Sequence, residues 1–352
     1  MSMKALVMPR VGEVAVADKP IPEPGPDDVI VRTTAALVCT SDVHTVNGGM
    51  QVQDGVTLGH ESVGVIAAIG SNIDGFHEGQ RVAAPAVTPC WECRYCQTGF
   101  SSQCQGLLGG YRYTAQVDGN MSEYFVVPKA RGNLAPIPDG VSDEMAVYAC
   151  DMLSTGFSGA EKSYLRLGDT VAIFAMGPVG LSATIGAALL GASRIFAVET
   201  RPDRQKLALS FGATDIIDFA AGDPVDQIRA ATDGEGVDAA IEAFGYPQTW
   251  EACIRVTKPG GRVSNVGYHG DSDEPLHIPL DAYGLGMADK SIYGGLCPGG
   301  NDRMQRIFAL MAAGRFDPTS MTTHRFGFDQ VERAFRMMQT KEDGIIKPLI
   351  TF

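Results

Sequence analysis

Long apolar runs are missing from this sequence, and so is any excess of basic charge. No uninterrupted hydrophobic stretch reaches the roughly 18 residues that a membrane-spanning helix requires. The N-terminal MSMKALVMPRVGEV has neither an apolar core of signal-peptide length nor a small-residue cleavage site, so nothing suggests export and a cytoplasmic location is expected. With 28 basic against 41 acidic side chains the formal charge is −13, a surface that repels nucleic acid and anionic membranes. Small molecules are the natural partners. Charged residues make up only 20% and hydrophobic residues 45%, which argues against disorder and is enough to bury sizeable cores. No low-complexity tract and no solenoid-length repeat interrupts the 352 residues, a length that calls for two domains.

Cysteine is scarce as well, eight in all, yet four fall within TPCWECRYCQTGFSSQC, residues 88–104. A reducing cytosol turns such clusters toward metal or redox work more than disulfides, and a chain of this length needs no covalent staple. The ferredoxin pattern places its fourth cysteine three residues on, followed by proline. Here seven residues separate Cys96 from Cys104, and Gln105 follows. Four thiolates, from Cys90, Cys93, Cys96 and Cys104, suit a closed tetrahedral site for a structural zinc in a lobe spanning 88–105.

The first 140 or so residues read as short β runs, KALVM, DVIVRTTAALV, ESVGVIAAIG, QRVAAPAV and SEYFVVP, broken by turn clusters such as PIPEPGPDD and GSNIDG. They predict a partly open β barrel. Near residue 150 the rhythm changes. DTVAIFA is a buried-strand run followed by the apolar stretch VGLSATIGAALLGA; RIFAVE is a second strand and RPDRQKLALSFGA a further helix. DIIDF, VDAAIEAFG and GRVSNVGYHG, with helices between, continue an alternation that means a doubly wound parallel sheet. NDRMQRIFALMAAGRF (helix) and IIKPLITF (strand) close the chain and are expected to return to the first domain. The expected divisions are 1–150, 151–295 and 296–352.

Between DTVAIFA and its helix stands AMGPVG, residues 175–180. In a dinucleotide fold, glycines here let the backbone turn tightly and approach a pyrophosphate at the helix N-terminus. Ala175 occupies the first glycine position, with Gly177 and Gly180 following, and Pro178 and Val179 open the helix. The second strand ends at Glu199, close to the expected spacing. A carboxylate there accepts from an adenosine 2′-OH and repels a 2′-phosphate, which favours NAD. Arg201, two residues on across Thr200, would favour NADP unless it is a solvated surface cation.

CTSDVH (39–44), LGHESVG (58–64) and ACDMLSTG (149–156) supply a thiolate, an imidazole and carboxylates, a mixture suited to a zinc that keeps one position open. Taken singly each is an ordinary core or surface residue. Together with Gly64, Gly70, the cysteine lobe and the later dinucleotide turn, they resemble the zinc-dependent medium-chain alcohol dehydrogenases over essentially the full length. CTSDVHTV, ACDMLSTGFSGAE, GVDAAIEA, KPGGRVSNV and GGLCPGG are most similar to the bacterial secondary, isopropanol-type members.

That resemblance implies an α/β architecture, a GroES-like catalytic β barrel joined to a Rossmann domain, with two zinc ions per chain. By position the catalytic zinc falls to Cys39, His60 and Asp151, with Glu61 as an exchangeable fourth ligand. Cys150 is a rival for Asp151, and Asp42 matches the carboxylate that orients His60. Glu61 and His60, being adjacent, reach one ion only if the backbone is irregular there. The implied reaction is reversible oxidation of a small secondary alcohol, such as 2-propanol or 2-butanol, to a ketone with hydride passing to NAD. Ser41 takes the alcohol proton and passes it through the cofactor ribose to His44 near the surface. Lys347 meets the pyrophosphate; Val266, Gly267 and Leu296 face the nicotinamide. Ala86, Tyr111, Tyr268, Leu296 and Cys297 shape the substrate pocket, Ala86 leaving room for a second alkyl group. A homotetramer is implied. Other alcohols or polyols, and NADP in place of NAD, stay open. A zinc-free quinone or enone reductase should lack both ligand sets, and a nucleotide-binding redox sensor would need exposed thiolates of low pKa.

Overall fold

Glycine and proline keep the strands of the N-terminal region short. A computed structural model describes residues 1–270 and 274–352, which divide into two units, 1–154 with 298–352, and 155–297. The first unit contains β1 (Ser2–Met8), β2 (Ala15–Pro20), β3 (Val29–Leu37), β4 (Val56–Thr57), β5 (Ser62–Ile69), β6 (Arg81–Ala84), β7 (Tyr124–Val127) and β8 (Ala135–Pro136). The second contains β9 (Thr170–Phe174), β10 (Arg194–Val198), β11 (Asp215–Ile217), β12 (Val237–Glu242), β13 (Thr257–Asn265) and β14 (Ser291–Gly294). The chain then returns to the first unit with β15 (Thr322–Gly327) and β16 (Lys347–Thr351).

In the first unit β2-β1-β4 form a small antiparallel sheet. A larger sheet has the order β15-β16-β3-β5-β6-β8, and β7 also pairs with β3. β3 is central and mostly buried, so its sequence, VIVRTTAAL, is nearly all apolar or small. Its antiparallel neighbours decide where the chemistry-bearing residues go. Ser62 of β5 stands opposite Ala36, so His60 and Glu61, just before β5, meet Cys39, just after β3. Leu349 of β16 stands opposite Leu37, which carries Lys347 to the same edge. β6 ends at Ala84, since Pro85 has no N–H to continue the ladder, and two residues later the Ala86 N–H donates to the Cys150 carbonyl, beside Asp151. Four stretches far apart in sequence thus converge on one sheet edge.

The second unit is a parallel sheet of order β11-β10-β9-β12-β13-β14. That is the dinucleotide-binding order, reversing direction between β9 and β12. Helices Pro178–Leu189, Pro202–Ser210, Pro224–Ala231 and Pro247–Val256 connect its strands. Each opens on proline, where the missing N–H costs no intrahelical bond. Phe174, Phe196, Val198, Ile254 and Val263 belong to its core. No helix among the described residues is long and apolar enough to cross a membrane.

Some elements carried no clear sequence signal. β2 (AVADKP) is a half-exposed edge strand, β14 (SIYG) is short and exposed at Tyr293 and Gly294, and the helix Asp143–Cys150 has almost no amphipathic pattern because Ala146–Cys150 are all buried.

Gly64 in β5 shows how tightly the sheet is built: a Cβ there would lie 2.0 Å from the Arg32 carbonyl oxygen. Gly64→Ala therefore forces β3 and β5 apart. It is expected to cost about 1–3 kcal/mol, as overpacking does, and to lower the first unit's transition in calorimetry while leaving that of the second in place.

Candidate active site

The helix Thr40–Val46 begins at the sheet edge with Cys39 as its N-cap. Asp42, almost wholly buried, accepts the Cys39 N–H at Oδ2 (3.0 Å) and the Gly59 N–H at Oδ1 (3.1 Å), so one carboxylate ties both approaching segments together. Gly59 takes a left-handed φ of 94°, and a Cβ there would lie 2.7 Å from Met121. This bend is the irregularity that lets both His60 and Glu61 point inward.

Cys39, His60 and Glu61 bring their ligand atoms within 4.8 Å of one another. Asp151 Oδ2 stands 3.3 Å from His60 Nε2. On the other side of the ring, Nδ1 lies 3.2 Å from Asp42 Oδ1 and 3.0 Å from the Tyr111 hydroxyl. Lys347 is fully buried, its ammonium paired with Glu61 and 3.3 Å from the Val38 carbonyl oxygen. Cys150 is also wholly buried, with its Sγ facing the Ser62 carbonyl at 3.6 Å; neither it nor Asp151 belongs to the three-residue cluster, but Asp151 has its carboxylate beside His60 Nε2. Burial, with Glu61 and Asp151 nearby, holds its thiol pKa well above the ordinary range.

At this cluster, among the described residues, two buried atoms lack a hydrogen bond: Glu61 Oε1, and His60 Nε2, which only faces Asp151 Oδ2 at 3.3 Å. Buried polar atoms are rarely orphaned unless an ion or water completes them. Lys347 places a buried ammonium beside Glu61. Burial opposes charge on Lys347, but Cys39 and Glu61 prevail and raise its pKa. Burial raises the Glu61 pKa, Lys347 pulls it down, and Asp151 helps keep it up. For His60, burial disfavours the charged ring, yet Tyr111, Asp42 and Asp151 outweigh it and hold the pKa well above normal. Proton and metal compete for the same imidazole, so uptake weakens as pH falls. A thiolate, an imidazole and carboxylates with two orphaned donor atoms fit a divalent zinc.

Ser41 and His44 sit one turn apart on the same helix, both half-buried, and Ser41 Oγ lies 3.6 Å from Cys39 Sγ. Ala86 is buried beside Cys150, and Tyr111 contacts His60 directly, a contact that its sequence position does not announce.

Cys90, Cys93, Cys96 and Cys104 also bring their sulfurs within 4.8 Å of one another. Backbone N–H groups of Cys90, Glu92, Cys93 and Gln105 point at these sulfurs at 3.2–3.4 Å, and Arg112 Nη2 lies 3.4 Å from Cys104 Sγ. Backbone donors from Cys96 and Gln105 lower the Cys93 thiol to about 6, whereas burial and neighbouring Cys93 push Cys96 up to about 12. The set is closed and tetrathiolate, as a structural zinc requires.

In the second unit Ala175 adopts φ 75° where a glycine is usual, and its N–H donates to the Val198 carbonyl. Gly180 tolerates no side chain, for a Cβ would lie 1.8 Å from the Ala175 carbonyl oxygen. Gly177 caps the helix Pro178–Leu189 and faces open space, and Val179 follows Pro178 in the first turn. Glu199, buried at the tip of β10, accepts from the Met176, Thr200 and Arg201 N–H groups at 3.3, 2.9 and 3.1 Å. Arg201 turns its guanidinium to Asp203. Val266 and Gly267 both donate backbone N–H to the Glu242 carbonyl at the end of β12. Leu296 accepts from Lys162 at its carbonyl, Cys297 is buried and Tyr268 is exposed. A glycine turn open at a helix N-terminus and a buried strand-tip carboxylate fit a dinucleotide.

Comparison with known proteins agrees. Residues 25–139 match the alcohol dehydrogenase GroES-like domain, and residues 178–313 match the zinc-binding dehydrogenase family. The chain is 43% identical to an NADP-dependent isopropanol dehydrogenase of Thermoanaerobacter brockii, over 99% of both chains. It is 42% identical to an alcohol dehydrogenase of Cupriavidus necator, over 98% of this chain and 97% of the relative. An alcohol dehydrogenase structure from Thermus sp. ATN1 superposes with a TM-score of 0.89 at 34% identity, over 99% of both chains.

Asp42→Asn removes a charge from the far side of His60. Metal held by His60 is expected to bind about 10–100-fold more weakly, the usual loss when such an orienting group goes. Competition with a chelator, on protein whose four-cysteine lobe keeps its zinc, measures it.

Proposed function

The chain belongs to the zinc-binding medium-chain alcohol dehydrogenases, and from that membership we propose that it oxidises small secondary alcohols to ketones, reversibly, with NAD. The observation that carries this reading is the pair of orphaned buried atoms, His60 Nε2 and Glu61 Oε1, beside Cys39 and Asp151. Zinc at those residues supplies Lewis acidity toward an alcohol or carbonyl oxygen. A bound nicotinamide supplies the hydride acceptor.

The chain's own residues do the rest. Cys39, His60 and Asp151 are the proposed ligands, and Glu61 is an exchangeable fourth whose charge Lys347 balances while it is disengaged. Asp42 holds the Nδ1 side of His60, so Nε2 faces the metal. Ser41 Oγ would accept the alcohol proton while giving up its own hydroxyl proton, which His44, one turn on, would take toward solvent. Ala86, with only a methyl group, leaves space for the second alkyl arm of a secondary alcohol. Tyr111, Tyr268, Leu296 and Cys297 are the further proposed pocket residues, with Val266, Gly267 and Leu296 toward the nicotinamide. A contact of Lys347 with the pyrophosphate would add to its role on Glu61.

Cofactor choice rests on Glu199. Three backbone N–H groups fix its charge at the tip of β10, where an adenosine ribose is bound in this fold. The carboxylate accepts from a 2′-hydroxyl and opposes a 2′-phosphate, although the Thermoanaerobacter relative is named NADP-dependent. A tetramer of this chain has candidate surfaces in the exposed edge strand β14 and the exposed Leu276, Ile278, Leu280, Leu285 and Met287.

Oxidation of 2-butanol, followed at 340 nm with NAD and NADP in parallel on zinc-assayed protein, tests the reading. Turnover with NAD, abolished by Asp151→Ala, is expected. No turnover of any secondary alcohol by a chain carrying two zinc ions removes the substrate claim. Glu199→Ser is expected to move kcat/KM toward NADP by about 100-fold or more, the scale of several kcal/mol for juxtaposed like charges. NADP preference in the unaltered protein would show that Arg201 outweighs Glu199.

A further inference from the structure

Tyr111 and Arg112 are neighbours in sequence, yet their side chains reach different metal sites. The Tyr111 hydroxyl lies 3.0 Å from Nδ1 of His60, and Arg112 Nη2 lies 3.4 Å from Sγ of Cys104. One peptide bond joins an orienting contact of the proposed catalytic centre to the only guanidinium described on the four-cysteine centre.

The backbone around this pair is clasped to the lobe. The Thr88 N–H donates to the Gly110 carbonyl, Val87 bridges Tyr111, and the Gly110 N–H donates to Ser102. A Cβ on Gly109 would lie 2.3 Å from the Cys104 carbonyl oxygen, and one on Gly110 would lie 2.5 Å from that of Ser101. Between Cys104 and Gly109, three non-glycine residues adopt left-handed backbone: Gln105 (φ 59°), Leu107 (φ 30°) and Leu108 (φ 65°). The Leu108 carbonyl accepts the Tyr111 N–H. Such conformations are costly for residues with a side chain and persist only where the surroundings over-determine them. Four sulfurs drawn to one ion at Cys90, Cys93, Cys96 and Cys104 provide that restraint. With the ion gone, the side chains are no longer held to one point, Arg112 loses the anionic centre it faces, and the loop that carries Tyr111 is free to relax.

We propose that the metal in the four-cysteine lobe positions His60 through the Tyr111–Arg112 dipeptide, so that occupancy of the lobe governs how tightly the catalytic metal is held. Tyr111 and Arg112 are positioning residues in this scheme; neither is a ligand. The inference rests on the dehydrogenase reading of Cys39, His60 and Asp151 but makes no use of turnover.

The test uses the full-length protein with zinc in the lobe and cobalt(II) at the Cys39–His60–Asp151 cluster. Cobalt reports its ligand geometry in its visible d–d bands, and a chromogenic chelator times the loss of each metal. In the unaltered protein the d–d bands are expected to shift as lobe zinc departs, and cobalt loss to accelerate about 10-fold after that point, within the range for lost orienting groups. Arg112→Ala should hasten both metal losses, and Arg112→Lys, which keeps a cation at Cys104, should restore much of each. Tyr111→Phe should shift the cobalt bands and hasten cobalt loss without touching lobe zinc. Adding Arg112→Ala to Tyr111→Phe should bring no further cobalt loss. Cobalt bands and loss rate indifferent to lobe zinc in the unaltered protein, or multiplicative effects in the double variant, overturn the link. Refusal of cobalt by the cluster removes the dehydrogenase reading together with the link, a result distinct from cobalt that binds but ignores the lobe.

Discussion

Burial of opposite charges at one sheet edge is the constraint on which the first unit turns. Glu61 and Lys347 form an ion pair with neither residue exposed, and Asp42, Asp151 and Cys39 crowd beside it. A buried carboxylate left alone costs several kcal/mol, and one lysine offsets only one of the anions. The remaining charge is compensated by backbone N–H groups on Asp42 and, in the reading favoured here, by a divalent cation between Cys39, His60 and Asp151. The arrangement is poised: removing either Lys347 or the cation leaves charge without a partner in a place water does not reach.

That edge is assembled by register more than by local sequence. β3 delivers Cys39, β5 starts just after His60 and Glu61, and β16 brings Lys347 from the far end of the chain. Because the side-chain period of a strand is two, a one-residue slip of β5 against β3 would turn its buried face outward. The tight approach at Gly64 and the left-handed bend at Gly59 help fix that register. Geometry near the candidate metal site is therefore sensitive to glycines that touch no ligand.

Much of this was legible in the sequence because the signals were local. Spacings of two, two and seven residues brought four cysteines together, and alternating strand and helix runs announced the parallel sheet. Less visible were the features that depend on distant neighbours. Nothing near Lys347 says that its ammonium will rest on Glu61, 286 residues away. Nor does the sequence around Tyr111, expected to shape the substrate pocket, say that its hydroxyl also meets His60. The helix Asp143–Cys150 escaped notice because five consecutive buried residues leave it no polar face from which to read a period. The short edge strands β2 and β14 take their form from pairing and carry little pattern of their own.

Ala175 shows how a departure from a sequence fingerprint is accommodated. The fold asks for a left-handed residue at the strand end, and alanine supplies it at φ 75°, at a cost of about 1–2 kcal/mol that glycine would avoid. The turn nevertheless keeps its course. The Ala175 N–H bonds to Val198, and Glu199 holds the next residue by the Met176 N–H. Gly180 lets its helix come to within contact of the Ala175 carbonyl, a contact any side chain would forbid. The two later glycines are under different demands: Gly180 must leave room for backbone, whereas a side chain at Gly177 would meet only open space in front of the helix. Glu199, by bonding to Met176 on one side and to Thr200 and Arg201 on the other, makes the residue proposed to read a cofactor's ribose also the residue that braces the glycine turn.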